Sequence, residues 1–204
     1  MSRRGSIVLA SGNRGKLAEF AELLAPYDVE LVPLSAFTDE RAEETGASFR
    51  DNALLKARHA VRLSGLPAIA DDSGLEVDAL NGAPGVLSAR YAGLGATDLE
   101  NNRKLLGMLA DASMRSARFR CVLAYVRDAG TQPLFAEGAW EGSILREQQG
   151  TGGFGYDPLF LPQGEVDSAA QLEPDAKNLL SHRGRAAREL LRLLLDAGEL
   201  RERM

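Results

Sequence analysis

An apolar run that ends abruptly in two carboxylates is the feature that most constrains this chain. Leu66 to Ala70 has the length and composition of a buried strand, and Asp71-Asp72-Ser73-Gly74 follows directly. Carboxylates at the end of a strand commonly hold Mg²⁺ against phosphate oxygens. The same four residues also suit a simple turn. The segment therefore predicts a strand ending at Asp71, followed either by a metal site or by a turn.

The order of apolar runs and helical patterns around this segment predicts an α/β fold. Strands are predicted at residues 7–10 and 29–32, with an amphipathic helix between them. Ser48 and Asp51 have the spacing of a capping box, which predicts a helix over about residues 49–64. Elements that alternate in this way form a sheet with helices on its faces.

The rest of the chain predicts longer strands and a final helix. The glycine-rich stretch 150–158 is predicted to be a loop. The other predicted elements are a half-exposed strand at 75–80, a helix from 97 or 98 to 109, neighbouring strands at 118–126 and 134–140, and a helix at about 184–197.

Composition argues against several classes of function. The chain has 204 residues, a net charge of −5 and a single cysteine, Cys121, in an apolar stretch. The negative charge argues against a protein that coats nucleic acid, although one group of Lys and Arg residues could still hold a triphosphate. No apolar run approaches the roughly 20 residues that span a membrane. One cysteine allows no intrachain disulfide. We expect a cytoplasmic protein with a buried Cys121 and no membrane or nucleic-acid polymer as partner.

The segment Ser11 to Lys16 combines glycines and a lysine at the start of a predicted helix. Unsatisfied N–H groups and the positive end of the helix dipole favour anions at such a place. The segment is not a Walker loop, because position 10 is Ala and no hydroxyl residue follows Lys16, and it lacks the G-x-G-x-x-G pattern. It indicates either a phosphate-binding loop or a solvated loop.

Further acidic residues could join Asp71 and Asp72. Glu43 and Glu44 precede the second predicted helix, and the four carboxylates would meet if these termini shared one edge of the sheet. Oxygen ligands that face phosphates suit Mg²⁺ better than Zn²⁺, and the chain has no Cys/His pattern typical of zinc. A solvated acidic loop is the alternative for the two glutamates.

Two segments near the C-terminus offer groups that could bind a base. Gly152 to Pro158 places Phe154 and Tyr156 among glycines, where an aromatic face can stack on a ligand. The two rings could equally anchor the loop in the core. The other segment is a group rich in hydrogen-bond donors before the last helix: Lys177, Ser181, His182 and Arg183.

Together these segments resemble the non-canonical purine nucleoside triphosphate pyrophosphatases, also called the inosine triphosphate pyrophosphatase family. The matching segments occur in the family's order and cover the chain from about residue 7 to residue 195. They are LASGNRGK from Leu9, EETGASFRDNALLKA from Glu43, LPAIADDSGLEVDALNGAPG from Leu66, SARYAG from Ser88, GTGGFGYDP from Gly150 and KNLLSHRGRA from Lys177.

The resemblance implies a fold and an activity. The expected fold is a single α/β domain over residues 1–204, elongated and two-lobed, with a mixed sheet, flanking helices and a central nucleotide cleft. The expected protein is a homodimer. It uses Mg²⁺ to hydrolyse ITP, dITP and XTP to the nucleoside monophosphate and pyrophosphate.

The resemblance also implies roles for individual residues. Asp72 is expected to accept a proton and bind the metal, with Glu44 as a second metal contact, although the register leaves Glu43 open. Phe154 is expected to stack on the base, and Lys56 and Arg90 are additional candidate phosphate contacts. The expected substrate-binding residues are Ser11, Gly12, Asn13, Arg14, Gly15, Lys16, Ser73, Phe154, Gly155, Tyr156, Asp157, Lys177, His182 and Arg183.

Two other functions stay open at the level of sequence. One is a pyrophosphatase of related fold that acts on modified pyrimidine nucleotides, which a panel of triphosphates would separate. The other is a nucleotide-binding regulatory module without turnover. Such a module would not need Asp72 beside a metal, and release of pyrophosphate would exclude it.

Overall fold

The computed structural model describes residues 5–11 and 14–202, with side chains except at 14–16, 18 and 19. Six of its strands form one sheet. They are β1 (Gly5–Leu9), β2 (Val29–Pro33), β3 (Ala68–Val77), β4 (Ser116–Val126), β5 (Leu134–Ile144) and β6 (Phe160–Pro162). Their order in the sheet is β2-β1-β3-β4-β5-β6.

Five α-helices accompany the sheet. They are α1 (Arg14–Leu24), α2 (Phe49–Ser64), α3 (Asp98–Met108), α4 (Pro174–Leu180) and α5 (His182–Asp196). The predicted caps are present, because Ser48 accepts a hydrogen bond from the Asp51 N–H, and Thr97 forms a capping box with Glu100. Sequence reasoning missed α4 and β6, which have seven and three residues and carry too little periodic pattern to detect.

The sheet is mixed, as predicted. Strand β1 runs parallel to β2 and to β3, with Ile7 opposite Leu31 and Val8 opposite Ala68, whereas β5 and β6 are antiparallel. Val8 is fully buried and packs in one cluster with Ala60 of α2 and Ala68 of β3. Strand β1 is therefore apolar and buried over Ile7, Val8 and Leu9, where α2 covers the sheet.

The chain divides into two compact units. The first contains the described residues up to Asp72, Val122–Glu137 and the described residues from Arg185 onward, and the second contains Ser73–Cys121 and Gly138–Gly184. The boundary falls inside β3, between Asp72 and Ser73. The second unit has its own apolar core, which includes Leu75, Leu105, Trp140, Leu159 and Phe160.

The prediction that a strand ends at Asp71 is wrong. Strand β3 continues without interruption to Val77. The separately predicted strand at 75–80 therefore supplies the last three residues of β3, and its second half is a 3-10 helix, Asp78–Leu80. Asp71 and Asp72 are only 4% and 8% exposed. Asp residues are depleted in strands, but here Asp72 receives hydrogen bonds from Lys56 and Asn52 of α2. These tertiary contacts offset part of the cost of burying a carboxylate, and no local pattern reveals them.

Two smaller expectations were tested as well. Cys121 is fully buried in β4, as predicted. None of the helices among residues 5–11 and 14–202 has the length and apolar character to cross a membrane.

Candidate active site

One face of α2 points side chains at the middle of β3. Asn52 and Lys56 are separated by four residues and so lie on the same side of the helix. Ala53, Ala57 and Ala60 are fully buried beside this stripe. Because alanines leave little side-chain volume, they let the helix axis lie close to the sheet. Asn52 and Lys56 consequently reach Asp72 directly.

Lys56 joins two carboxylates that are far apart in sequence. Its Nζ lies 2.7 Å from Asp72 Oδ1 and 3.1 Å from Glu44 Oε1. The side chains of Lys56 and Asp72 are only 16% and 11% exposed. One ammonium group therefore balances two carboxylates in a site with little solvent, where electrostatic interactions are stronger than at the surface.

The pKa values of this pair are shifted by burial and by each other. Burial raises the pKa of the Asp72 carboxyl, and attraction and hydrogen bonding to Lys56 offset only part of that rise. Burial alone would lower the pKa of Lys56, but attraction to Asp72, Asp71 and Glu44 outweighs it and raises that pKa. Lys56 therefore stays charged at neutral pH, while Asp72 becomes a better proton acceptor than a solvated aspartate.

The structure distinguishes Glu44 from Glu43. Both glutamates are exposed, and it is Glu44 whose Oε1 lies within ion-pair distance of Lys56 Nζ. Two residues after Glu44, the Gly46 N–H donates to Asn52 Oδ1 at 2.8 Å. The irregular loop between β2 and α2 is thereby fixed to the same face of α2 that holds Asp72.

A cavity of about 700 Å³ opens beside this cluster within the first unit. Ser11, Glu44, Lys56, His59 and Asp71 are among the residues that line it. Ser11 is the first residue of the predicted phosphate loop. Gly12 and Asn13 lie outside the described residues. Arg14, Gly15 and Lys16 form the first turn of α1, and their side chains are not among those described.

Glu44 and Asp72 are the residues that could hold a metal ion. Oxygen ligands fit Mg²⁺, which commonly binds one or two carboxylates and completes its shell with water and substrate phosphate. Within residues 5–11 and 14–202, no group of three or more His, Cys, Asp or Glu side chains is arranged to hold a metal.

The second unit carries a half-exposed aromatic ring among cations. Phe154 is 50% exposed in the loop between β5 and β6. Lys177 Nζ lies 5.2 Å and Arg183 Cζ 5.3 Å from the centre of its ring. An exposed ring can stack on a planar ligand, and the neighbouring cations can donate hydrogen bonds to the edge of that ligand.

The buried Asp157 side chain holds this loop through two hydrogen bonds. It is 4% exposed, and its Oδ2 accepts from the Phe154 N–H at 2.8 Å and from Lys177 Nζ at 2.5 Å. Gly153 has φ +71° and passes so close to Asp157 and Lys177 that a Cβ there would collide with both. The glycine is therefore required by the backbone conformation and by the ion pair next to it.

Helix α3 contributes two loop contacts that sequence reasoning missed. The Gly155 N–H donates to Asp98 Oδ2 at 2.6 Å, and the Gly155 carbonyl accepts from Asn102 Nδ2 at 3.0 Å. Asn102 is buried. The sequence predicted only that α3 starts at Thr97 or Asp98. A helix-start pattern does not predict a hydrogen bond to a residue more than fifty positions away.

Tyr156 and His182 have their rings in the interior. Tyr156 is 4% exposed, its hydroxyl donates to the Ser88 carbonyl at 2.9 Å, and burial raises its pKa. The His182 ring stacks on Phe119 with centroids 4.8 Å apart. Of the two alternatives for the aromatics of this loop, Tyr156 takes the core position, and Phe154 takes the exposed one.

The remaining predicted site residues belong to the second unit. Ser73 is half-buried in β3, and Arg90 is half-buried at the end of a short 3-10 helix, Gly85–Arg90. Arg183 is buried, and Ser181 accepts from the Gly184 N–H at 3.1 Å at the start of α5. The predicted base-pocket residues Lys177 and Arg183 both lie next to the Phe154 ring.

Comparisons with known proteins identify the family of this chain. The model of the Ham1 family matches residues 7–193. A dITP/XTP pyrophosphatase of Methylococcus capsulatus is 59% identical over 187 residues, which cover 90% of this chain and 93% of that protein. One of Escherichia coli O157:H7 is 53% identical over 194 residues, covering 94% and 96%.

Solved structures are similar over the same range. A HAM1 protein from Coxiella burnetii has 49% identity and a TM-score of 0.90, with 94% of this chain and 99% of that chain covered. The resemblance inferred from the sequence motifs is confirmed. Because the family match extends over almost the whole chain, at high identity and with the same fold, this protein belongs to the Ham1 family.

Proposed function

We propose that this protein hydrolyses non-canonical purine nucleoside triphosphates, namely dITP, ITP and XTP, to the nucleoside monophosphate and pyrophosphate. Membership of the Ham1 family and the names of its relatives support the reaction class. The observation that carries the proposal is the cluster of Asp72, Lys56 and Glu44. Asp72 and Lys56 are largely buried, and Lys56 and Glu44 line a cavity together with Ser11. The cluster combines a proton acceptor, two metal-binding oxygens and a cation.

The cluster explains how the chain would promote attack on a phosphate. Asp72 accepts the proton of the attacking water, and its raised pKa makes that transfer more favourable. Bound Mg²⁺, held by Asp72 and Glu44, would supply neutralisation of phosphate charge. Lys56 and Lys16 stabilise the negative charge that develops as the α-phosphorus is attacked and pyrophosphate leaves.

The base is proposed to stack on Phe154 in the second unit. Lys177 and Arg183 would donate to the C6 oxygen of hypoxanthine or xanthine. Adenine has an amino donor at this position, so it would leave buried donors unpaired at about 1–3 kcal/mol each. ATP is therefore expected to be a poor substrate. Poor turnover of GTP and the homodimeric state are proposed from the family resemblance alone. The cytoplasmic location is proposed from the single cysteine, which fits a reducing compartment.

The direct test is an assay of ITP, XTP, ATP, GTP and dUTP with Mg²⁺ in ¹⁸O-labelled water. We expect pyrophosphate as product and the label in the monophosphate, which identifies the α-phosphorus as the point of attack. Asp72→Asn protein purified in the same way controls for contaminating hydrolases. Label in free orthophosphate would contradict the proposal. Preferred turnover of dUTP would favour the pyrimidine enzyme, and no turnover of any triphosphate would favour a binding module.

A further inference from the structure

A fully buried asparagine connects the two acidic parts of the proposed catalytic cluster. Asn52 has 0% exposure on α2. Its Nδ2 donates to Asp72 Oδ2 at 3.2 Å, and its Oδ1 accepts from the Gly46 N–H at 2.8 Å. One side-chain amide therefore bridges β3 and the loop that carries Glu44.

The loop end of this bridge is packed without spare room. A Cβ on Gly46 would lie 2.6 Å from both Asn52 Oδ1 and Asp51 Cβ. The loop backbone thus lies directly against the first turn of α2, two residues after Glu44. Lys56 contacts Glu44 itself, so the loop is held through its backbone by Asn52 and through a side chain by Lys56.

The bridge suits the chemistry because an amide is uncharged and has both a donor and an acceptor. Lys56 binds one oxygen of Asp72 and Asn52 binds the other, so both carboxylate oxygens have a fixed partner. An acidic residue in place of Asn52 would repel Asp72, and an apolar one would leave Asp72 Oδ2 and the Gly46 N–H without this partner.

We infer that Asn52 is a positioning residue, which orients the Asp72 carboxylate and holds the Glu44 loop at the right distance from it. The inference rests on the proposed pyrophosphatase activity. Misplacement of reacting groups by about 1 Å can cost about 10²-fold in rate. Asn52 contributes no group to the reaction, so its loss changes the rate of the chemical step and leaves nucleotide affinity nearly intact.

The principal test replaces Asn52 with leucine, which is similar in size and cannot form hydrogen bonds. We expect kcat for ITP to fall by about 10- to 100-fold while KM changes by less than about threefold. We also expect the Gly46 amide of the chelator-treated protein to exchange with deuterium at least about tenfold faster, because it has lost its acceptor. The exchange measurement requires neither metal nor substrate.

The matched control is Ser64→Ala, on the same helix. Ser64 Oγ donates to the Ala60 carbonyl at 2.7 Å and accepts from the Leu66 N–H at 3.1 Å, so it too ties α2 to the chain that enters β3. Its loss weakens a helix-to-strand contact away from Asp72. We expect kcat and Gly46 exchange to stay at their wild-type values in this variant.

Asn52→Asp tests the two hydrogen bonds of Asn52 separately, and it replaces the leucine variant if that variant does not fold. The aspartate keeps an acceptor for Gly46 but has no donor for Asp72. Gly46 exchange should therefore stay slow while kcat falls at least as far as in Asn52→Leu.

Three results would overturn the inference. One is a kcat within about twofold of wild type in folded Asn52→Leu and Asn52→Asp. Another is an unchanged Gly46 exchange rate in Asn52→Leu. The third is an equal loss of kcat in Ser64→Ala, which would assign the effect to general destabilisation of α2. If wild-type protein releases no pyrophosphate, the proposed function fails instead, and the exchange rates still decide whether Asn52 holds the loop.

Discussion

The carboxylate cluster of the first unit and the aromatic loop of the second unit are held together in different ways. The cluster is held together by side-chain contacts, because Lys56 on α2 contacts Asp72 on β3 and Glu44 in the loop before α2. The loop is fixed mainly through its backbone, because Gly155 is bound by Asp98 and Asn102 of α3. Asp72 and Lys56 of the cluster are charged and largely buried, whereas the loop presents a half-exposed Phe154 ring.

This difference predicts which property each region governs. Removing one charge from the cluster leaves another charge buried without its partner, so chemistry and folding stability should change together. Removing the Phe154 ring uncovers no charge and little core, so binding should change while stability stays. Variants of the cluster should therefore change both kcat and folding stability, whereas variants of Phe154 should change nucleotide binding alone.

The largest effect is expected for Asp72→Asn. The amide has nearly the same shape but cannot accept the proton of water and binds Mg²⁺ poorly, so kcat should fall by at least about 10²–10⁴-fold. The control is Asp78→Asn just beyond the end of β3, an exposed carboxylate bound to Ser116 and Arg118. Its kcat should stay near the wild-type value. A folded Asp72→Asn protein with more than a tenth of wild-type activity is incompatible with the assigned role.

Lys56→Met is expected to reduce stability as well as activity. The side chain of Lys56 is 16% exposed, and its loss removes the cation shared by the largely buried Asp72 and the partly exposed Glu44. Breaking a buried ion pair costs about 3–5 kcal/mol, and partial exposure reduces our expectation to about 2 kcal/mol. Urea unfolding in chelator measures this loss. The double variant Lys56→Met/Asp72→Asn should recover most of it, and no recovery would mean that Lys56 stabilises the fold through its packing alone.

The raised pKa of Asp72 predicts the sign of a pH effect on the metal-free protein. The folded state keeps this proton at pH values above the ordinary pKa of 3.8. Protonation of Asp72 therefore raises the free energy of unfolding, and so stabilises the folded protein, at low pH. That contribution is lost as the pH rises from 3.8 through the raised pKa. The stability of wild type relative to Asp72→Asn should therefore fall over this window and then level off, as urea titrations at several pH values can measure. A difference that grows with pH would mean that the pKa is lowered.

Sequence reasoning selected Asp72, Glu44 and Lys56 as site residues but predicted neither their mutual contacts nor those of the loop, for one physical reason. Asp72 and Lys56 lie in segments that match the family motifs. The uninterrupted course of β3 and the two contacts of α3 with Gly155 depend on partners distant in sequence. Buried Tyr156 and exposed Phe154 are separated by one residue, and only the folded backbone distinguishes their roles.

Phe154→Ala should weaken nucleotide binding without affecting the fold. Stacking of a base on an aromatic ring contributes about 1–3 kcal/mol, so KM for ITP should rise by about tenfold or more at nearly constant kcat. Phe37→Ala is the control, because Phe37 is 43% exposed in the first unit. Melting temperatures of both variants should stay close to that of wild type. An unchanged KM in Phe154→Ala would remove the stacking role.

The smallest effect is expected for Tyr156→Phe, which tests whether this residue serves the core or the ligand. Its hydroxyl donates to the Ser88 carbonyl in the interior of the second unit, so its loss removes one buried hydrogen bond. That should lower the free energy of unfolding by about 1 kcal/mol. KM and kcat for ITP should both stay within about twofold of wild type, because the ring still packs with Leu159 and Phe160. A rise in KM as large as that of Phe154→Ala, without loss of stability, would instead assign the Tyr156 hydroxyl to substrate recognition.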